Sequence, residues 1–423
     1  MNNFLYGIDF GTTNSALSIY NEDSKEIVET IIIPSLLYFF ADQSSSAPLN
    51  YVVGKEAIDA YVSDGMSGRF MKSIKRILPR SSFIETKVHN TKLNASDLVT
   101  LILKELKRRA DSITGVDCRK AVIGRPVFFD DDDTTKDSLA QNRLNKAATN
   151  ADFSEVRFQF EPIGAAFAYE RTLKQKEKVL VADLGGGTTD FTFLSLDPTR
   201  AGEKERQKDI IANGGIYIGG DSFDSSFMWD KGTPYFGKHT LYEAAPGKML
   251  NVPVSLFANI CSWEQMNFFN GQKIKNDIQN YYHYSKQDKK FKNLITLTEN
   301  NLGYSLFQSI EQSKLELSGS HHTQFSYSKM GIDINEGVSR VEYDQIISRD
   351  LNKISTYLED FLSKNSIQTS DIDSLFLTGG TSMVSAVRNL FNSRFPDKPI
   401  HSGDNFISVA KGLAYSGYLF EED

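Results

Sequence analysis

The chain has 423 residues, 40% of them hydrophobic and 24% charged, enough apolar material for a large core divided among two to three domains or subdomains. Its formal net charge of -7 argues against a broad nucleic-acid-binding face, because surfaces that track phosphates need clustered Lys and Arg. The two cysteines, Cys118 and Cys261, are far apart in sequence and fit neither a metal cluster nor a disulfide framework, so a reducing, cytoplasmic compartment is the expectation.

The N-terminal MNNFLYGIDFG lacks the basic region, long apolar core and small-residue cleavage site of a secretory signal and reads as a strand. Leu5–Asp9, Ala16–Tyr20 and Ile27–Ile33 form a β-rich start. The most apolar block, Ile31–Phe40, is about half as long as a membrane span requires and contains Pro34, so no membrane segment is expected. Ser96–Ala110 has a capping serine, an early acid and apolar residues at helical spacing. Its basic stretch Lys104–Arg109 reads as a solvated helix face. Ala121–Pro126 is a strand stopped by proline, and the four aspartates Asp130–Asp133 read as a solvated turn rather than a cation site. Strand Val156–Phe160, helix Glu161–Leu173 and strands Lys178–Asp183 and Asp190–Leu196 follow.

From Asp230 to Gly303 the chain is aromatic and rich in Asn and Lys, without clean periodicity, and reads as an inserted lobe. Helical spacing returns at Ser305–Ser318 and Tyr343–Ser363, then strand Leu375–Thr378 and helices Ser382–Phe391 and Ser408–Leu419. The interleaving predicts an α/β protein with mixed sheets.

One device occurs twice. FLYGIDFGTTNSALSIY delivers Asp9 at the end of an apolar strand, then Gly11, Thr12, Thr13 and a second strand; KVLVADLGGGTTDFTFLSL delivers Asp183, then Gly185, Gly186, Gly187, Thr188, Thr189 and Asp190. Each is either a plain hairpin turn or a phosphate cradle, in which backbone N–H and threonine hydroxyl groups meet phosphate oxygens and the aspartates hold a hydrated cation. The duplication favours the cradle. No Gly-Lys-Ser/Thr follows, so neither is a Walker A loop. Two further glycine turns stand at strand ends: IYIGGDSFD, with Gly219 and Gly220 before a helix that Asp221 or Ser222 would cap, and LFLTGGTSM, with Gly379 and Gly380. Four such turns suggest one shared ligand.

In family order, GIDFGTTNS, SIKRIL, AVIGRPVFF, FEPIGAAFAYE, VADLGGGTTD, IGGDSFD, IEQSKLELS and LFLTGGTSM run over nearly the whole chain. Together they resemble the nucleotide-binding domain of the DnaK-type seventy-kilodalton heat-shock chaperones, and most of all the short YegD-type bacterial relatives. That resemblance implies the actin-like ATPase fold: two lobes with duplicated ribonuclease-H-like cores and a nucleotide cleft, lobe I at 1–174, lobe II at 175–423 and an inserted subdomain at about 225–320.

It also implies residue roles for ATP or ADP with Mg2+. Gly11, Thr12, Thr13, Asn14 and Gly185–Thr188 would wrap the phosphates, and Asp9 and Asp183 would face the cation through water. Glu161 and Asp190 would place metal waters and the attacking water; Lys75 would position that water and neutralise phosphate charge, with Lys72 as second choice. Pro126 and Arg143 match the family's proline switch and its arginine partner. Gly219 and Gly220 would also contact the nucleotide, and Glu311, Lys314, Ser318, Gly379, Gly380 and Asp404 fall on the adenosine side, where Leu315 and Met383 replace two arginines that would sandwich the base. After GLAYSGYLFEED no apolar linker or peptide-binding domain follows, and Phe160 stands where an asparagine is usual beside Arg157, a residue matching the J-domain contact. A J-protein or exchange factor is therefore an unsupported partner, and the oligomeric state is open. Three readings stand: a Mg-ATP hydrolase closing its lobes over nucleotide, a nucleotide-responsive interaction module with little hydrolysis, and a sugar kinase of the same superfamily.

Overall fold

In the computed structural model, which describes residues 3–41, 48–64, 67–129, 133–200, 206–262, 269, 271–402 and 407–420, the duplicated sequence device becomes a duplicated sheet. Strand Phe4–Phe10 pairs antiparallel with Asn14–Asn21, which pairs antiparallel with Glu26–Pro34; on its other side Lys120–Arg125 and then Glu155–Phe160 join in parallel. The second sheet repeats this order: Glu177–Leu184 pairs antiparallel with Thr189–Leu196, then Ile210–Ile216, and in parallel with Ser374–Thr378, then Ile400–Ser402. In both, the aspartate-bearing strand is central. Such a strand is buried on both faces and so reads as an unbroken apolar run, as Leu5, Tyr6, Ile8 and Phe10 do at 0% exposure.

Both sheets belong to one compact unit, Met1–Gly219 with Ile354–Ser382 and Asn389–Asp423; a second comprises Gly220–Lys353 and Met383–Arg388. In the first unit, helices Ala95–Thr114 and Thr134–Asn150 cover one face of the first sheet through Leu98, Ile102, Leu106 and Leu144. Helices Glu161–Glu170 and Ser408–Ala414 share a core with Leu5, Val122, Val179 and Val181 from both sheets. These two helices touch where Gly164 and Gly412 leave room for backbone against backbone.

Several boundaries differ from the sequence reading. Asn94, not Ser96, caps the helix that follows, in a reciprocal capping box with Asp97. Within that helix Lys107 leaves the solvated face: it is buried and paired with Asp111 and Asp117. The helix from Glu161 ends at Glu170 rather than Leu173. Asp221 and Ser222 lie inside the helix Gly220–Phe227 and do not cap it. A 3-10 turn, Gly380–Met383, precedes helix Ser385–Arg394, and helix Ser408–Ala414 passes into a 3-10 segment, Tyr415–Phe420. Of the four aspartates, Asp133 caps helix Thr134–Asn150, while residues 130–132 lie outside the described residues. Cys118 and Cys261 are buried free thiols. No helix among the described residues is long and apolar enough to cross a membrane.

The second unit orders the stretch without periodicity. Helix Gly220–Phe227 packs on helix Gly303–Gly319, and the hairpin His322–Lys329/Ile332–Ser339 covers the latter, burying alternate residues such as Phe325 and Ile334. A small hairpin, Leu241–Ala245/Lys248–Asn251, helices Val254–Ile260, Gln272–Tyr284 and Lys289–Glu299, and the first part of helix Arg340–Lys364 also belong to it.

Candidate functional site

The two duplicated strands bring Asp9 and Asp183 to equivalent positions at their carboxyl ends, and electrostatic coupling between the two shows that they converge. The first turn admits no side chain at Gly11, while the second is closed by hydrogen bonds. A Cβ on Gly11 would lie 2.1 Å from the Asn14 carbonyl oxygen. The chain at Thr13 is held by Ser35, whose N–H donates to the Thr13 carbonyl (2.8 Å) and whose hydroxyl donates to that of Gly11 (2.8 Å). In the second turn the Gly185 N–H donates to the Thr188 carbonyl (2.9 Å), and the Thr188 hydroxyl donates to Asp190 Oδ2 (2.8 Å). Register places Asp183 opposite Asp190 and beside Thr378.

Two other predicted turns close on this one. Gly379, at φ +81°, lies against the Leu184 carbonyl and the Asp183 carboxylate, which a side chain would strike. Thr381 donates to the Gly185 carbonyl (2.8 Å), tying the Gly379–Gly380 turn to the glycine loop. Gly219 packs on the carbonyls of Gly185 and Gly186. Three of the four glycine turns thus share one small volume of the first unit.

Lys75 and Glu161 supply the remaining charges. Lys75 sits in a 3-10 turn, Ile74–Ile77, entered through Ser73 at φ +59° and anchored by buried Ile74 and Leu78. Its ammonium donates to Glu161 Oε1 at 2.7 Å, the two side chains 14% and 9% exposed. Glu161 opens its helix just ahead of Pro162, where the helix dipole favours an acid. Arg143 fixes the segment after the lysine by donating to the carbonyls of Ile77, Leu78, Arg80 and Phe83. The Pro126 carbonyl is instead bonded by Arg125, which also pairs with Asp137. Arg76, which sequence reasoning passed over, lies against Gly187 so closely that a Cβ there would meet its guanidinium. Its position directly after Lys75 on a one-turn helix was the available signal.

Four carboxylates, Asp9, Glu161, Asp183 and Asp190, therefore share this volume with the Lys75 ammonium, and the Arg76 guanidinium lies at the glycine loop beside them. Burial, then the Glu161 charge, pushes Asp9 up to about 8 against the opposing pull of Lys75, and burial, then Asp190, pushes Asp183 up to about 7. Lys75 is held charged above its usual range: burial works against its charge, but Glu161, Asp9 and Asp183 outweigh it. The excess of negative charge is the chemistry a hydrated divalent cation fits. In the ligand-free protein the same crowding costs stability. A raised carboxyl favours folding most below its unfolded value near 4 and loses that contribution by about pH 8. Asp9→Asn is accordingly expected to raise the Tm of the ligand-free protein by a few degrees at pH 8, roughly 1–2 kcal/mol, and by less at pH 5, as read by thermal unfolding; a lower Tm at pH 8 would show the Asp9 charge to be net stabilising.

The adenosine-side residues lie mainly in the second unit. On helix Gly303–Gly319, Lys314 is paired with buried Asp224 (2.8 Å), whose carboxyl burial pushes up to about 6 despite that partner. Ser318 donates back to the Lys314 carbonyl (3.0 Å) and its own carbonyl accepts from Ser385, which sets the Met383–Arg388 segment against this helix. Leu315 and Met383 are exposed, at 58% and 42%. Glu311 shares the field of Asp224, Gly220 is buried at the start of its helix, and Asp404 lies outside the described residues. Arg157 donates to the Leu419 carbonyl (3.3 Å) and lies over the Phe420 ring.

Comparison with known proteins agrees with this geometry. A family model described as Hsp70 protein matches residues 5–231 and 265–422. The chaperone protein DnaK of Thermosipho melanesiensis is 26% identical over 97% of this chain and 58% of its own length; that of Mycoplasmopsis pulmonis is 24% identical over 99% and 59%. DnaK of Thermosipho africanus is 33% identical over 53% of the chain and 35% of its own length. The chain thus spans a little under three fifths of the first and second of these relatives. With the family model covering most of its length and two like-ordered sheets carrying its paired aspartates, the chain belongs to the Hsp70 family and has the actin-like ATPase fold of that family.

Proposed function

We propose that this protein binds Mg-ATP and hydrolyses it to ADP and phosphate. The observation that carries the reading is the Lys75–Glu161 pair set among Asp9, Asp183 and Asp190 beside the glycine turns. Transfer of a phosphoryl group to water needs positioning and charge neutralisation rather than covalent catalysis. The N–H and hydroxyl groups of Gly11–Asn14 and Gly185–Thr188 hold the phosphates; Asp9 and Asp183 would hold a Mg2+ through water, and that ion would neutralise phosphate charge. Glu161 and Asp190 accept hydrogen bonds from the attacking water, and Lys75 turns that water in line while opposing charge on the leaving group. Closure of the lobes during the cycle is part of the same proposal, as are a cytoplasmic setting and any protein partner of the DnaK kind.

Calorimetry with ATP, ADP, GTP and AMP in the presence of Mg2+, run beside a phosphate-release assay, tests the reading. Binding of ATP and ADP with release of phosphate is the expected result; no nucleotide binding would overturn it. A second reading, a nucleotide-responsive interaction module with little turnover, is favoured by exposed Leu315 and Met383: tight ATP binding without phosphate release would select it. Under either reading the aliphatic pair leaves base recognition weak. Leu315→Arg with Met383→Arg is expected to tighten ATP binding about tenfold while leaving inorganic triphosphate binding unchanged, because a stacked guanidinium contributes roughly 0.5–2 kcal/mol.

A further inference from the structure

Residues 232–264 fall between the two stretches that match the family model, 5–231 and 265–422. Within them the hairpin Leu241–Ala245/Lys248–Asn251 is exposed at every position except Tyr242, which is half-buried. A lone two-stranded ribbon is marginal in water. This one is pinned where the Tyr242 ring meets Tyr281 of helix Gln272–Tyr284 edge-on, centroids 4.9 Å apart. The pairing puts Leu250 opposite Tyr242 on one face, and Leu241 diagonal to Met249 on the other. Leu241, Met249 and Leu250 are 46%, 48% and 40% exposed, and Val254, just past the hairpin, 59%. Leu250 thus lies on the face that Tyr242 turns toward the helix, while Leu241 and Met249 form an exposed apolar pair on the opposite face, available for contact.

Charge adds direction. The adjoining helices Gln272–Tyr284 and Lys289–Glu299 pack on each other, and the first packs on the hairpin. Residues 271–292 hold six lysines and two aspartates in a chain whose net charge is -7. One of those acids, Asp288, is engaged in capping the second helix. Lys286, Lys289, Lys290 and Lys292 are exposed and form no ion pair among the described residues, although Lys231 and Lys314 of the same unit are paired. Positive charge left without counterions beside apolar anchors suits a partner that is negative and apolar at once.

We propose that this hairpin and the lysine-bearing helix turn form a docking surface for an acidic polypeptide segment of a partner protein, one carrying apolar side chains between its carboxylates. The lysines raise the encounter rate, and burial of Leu241 and Met249 holds the complex. The proposal uses no residue assigned to nucleotide binding, so failure of one reading leaves the other intact.

The test uses the full chain and fluorescence anisotropy with a labelled peptide of alternating Glu and Leu, beside its Lys/Leu counterpart, a single-stranded oligonucleotide and anionic lipid vesicles. The Glu/Leu peptide is expected to bind, and to bind about tenfold more weakly to Leu241→Ser/Met249→Ser and to Lys289→Glu/Lys290→Glu, with affinity falling as salt rises. Because the hairpin is exposed, the serine variant should keep its Tm; if it does not, the charge-reversal variant carries the test. Equal binding of the Lys/Leu peptide, tighter binding of oligonucleotide or vesicles that is lost in the same variants, self-association of the chain lost in them, or no binding of the Glu/Leu peptide would each overturn the proposal.

Discussion

Lys75→Ala lowers the single-turnover rate of phosphate release by about a thousandfold, on the order of 4 kcal/mol of transition-state stabilisation, while ATP affinity changes by less than about tenfold; this is the expected result of removing the ammonium that Glu161 holds. Lys75 is fixed by a 2.7 Å ion pair, by the buried residues on either side of it, and by the Arg143 clamp on the following carbonyls. Little flexibility remains for another cation to take its place. Loss of the lysine also leaves Glu161 buried without its partner, which is destabilising by itself. Lys75→Met, which retains the apolar stem, separates the two effects: its melting temperature reports the fold and its rate reports the charge. A Lys75→Met enzyme that folds and turns over at the wild-type rate would remove Lys75 from the mechanism, and the same substitution at Lys72 should leave the rate within a few-fold of wild type.

Gly412→Ala is expected to cost more than about 4 kcal/mol, enough to unfold the first unit or prevent soluble expression. Helices Glu161–Glu170 and Ser408–Ala414 approach so closely that a Cβ at 412 would lie 1.6 Å from the Gly164 carbonyl oxygen. The second helix is also pressed onto the first strand, where a Cβ on Gly7 would lie 2.2 Å from the Ala414 nitrogen. One methyl group must therefore push the helix off both the sheet and its neighbour, and the neighbour is the helix that carries Glu161. Gly319→Ala is the control. It is helical with nothing within 4 Å of its added Cβ, and is expected to be neutral or stabilising by a few tenths of a kcal/mol. Urea unfolding of both variants checks the contrast; a Gly412→Ala protein within about 1 kcal/mol of wild type would mean that the helices can separate without penalty.

Much of the phosphate side was legible in the sequence because it is written locally. Asp9 and Asp183 each stand near the end of a run of apolar residues that reads as a central strand, and the glycines after them announce turns, the first of which admits no side chain at Gly11. The repeat announced two like strand–turn–strand units, and the family resemblance implied the duplicated sheets around them. Elements with quieter signals were missed. Helix Thr134–Asn150 buries Ala140, Leu144, Ala147 and Ala148, a stripe mostly of alanines with weak contrast against its polar face. The three helices between Val254 and Glu299 bury few residues each, so aromatic and lysine side chains mask their period. The hairpin from His322 to Ser339, by contrast, shows a period of two at Thr323, Phe325 and Tyr327 that could have been read.

By itself, then, the sequence determined the strand–turn–strand units, the aspartates at their ends and the order of the family motifs, since each depends on neighbours within a few residues. Only the tertiary structure decided which charges meet. Lys75 and Glu161 are 86 positions apart, and their pairing depends on a one-turn helix, its Arg143 clamp and a helix start brought together by packing. The same holds for Arg76 against Gly187, for Lys314 held by Asp224, and for an exposed apolar hairpin whose residues look ordinary in sequence until burial shows that the fold leaves them in water. Local pattern fixes an element and its inward face; long-range packing fixes which side chains share a volume, and the chemistry depends on that.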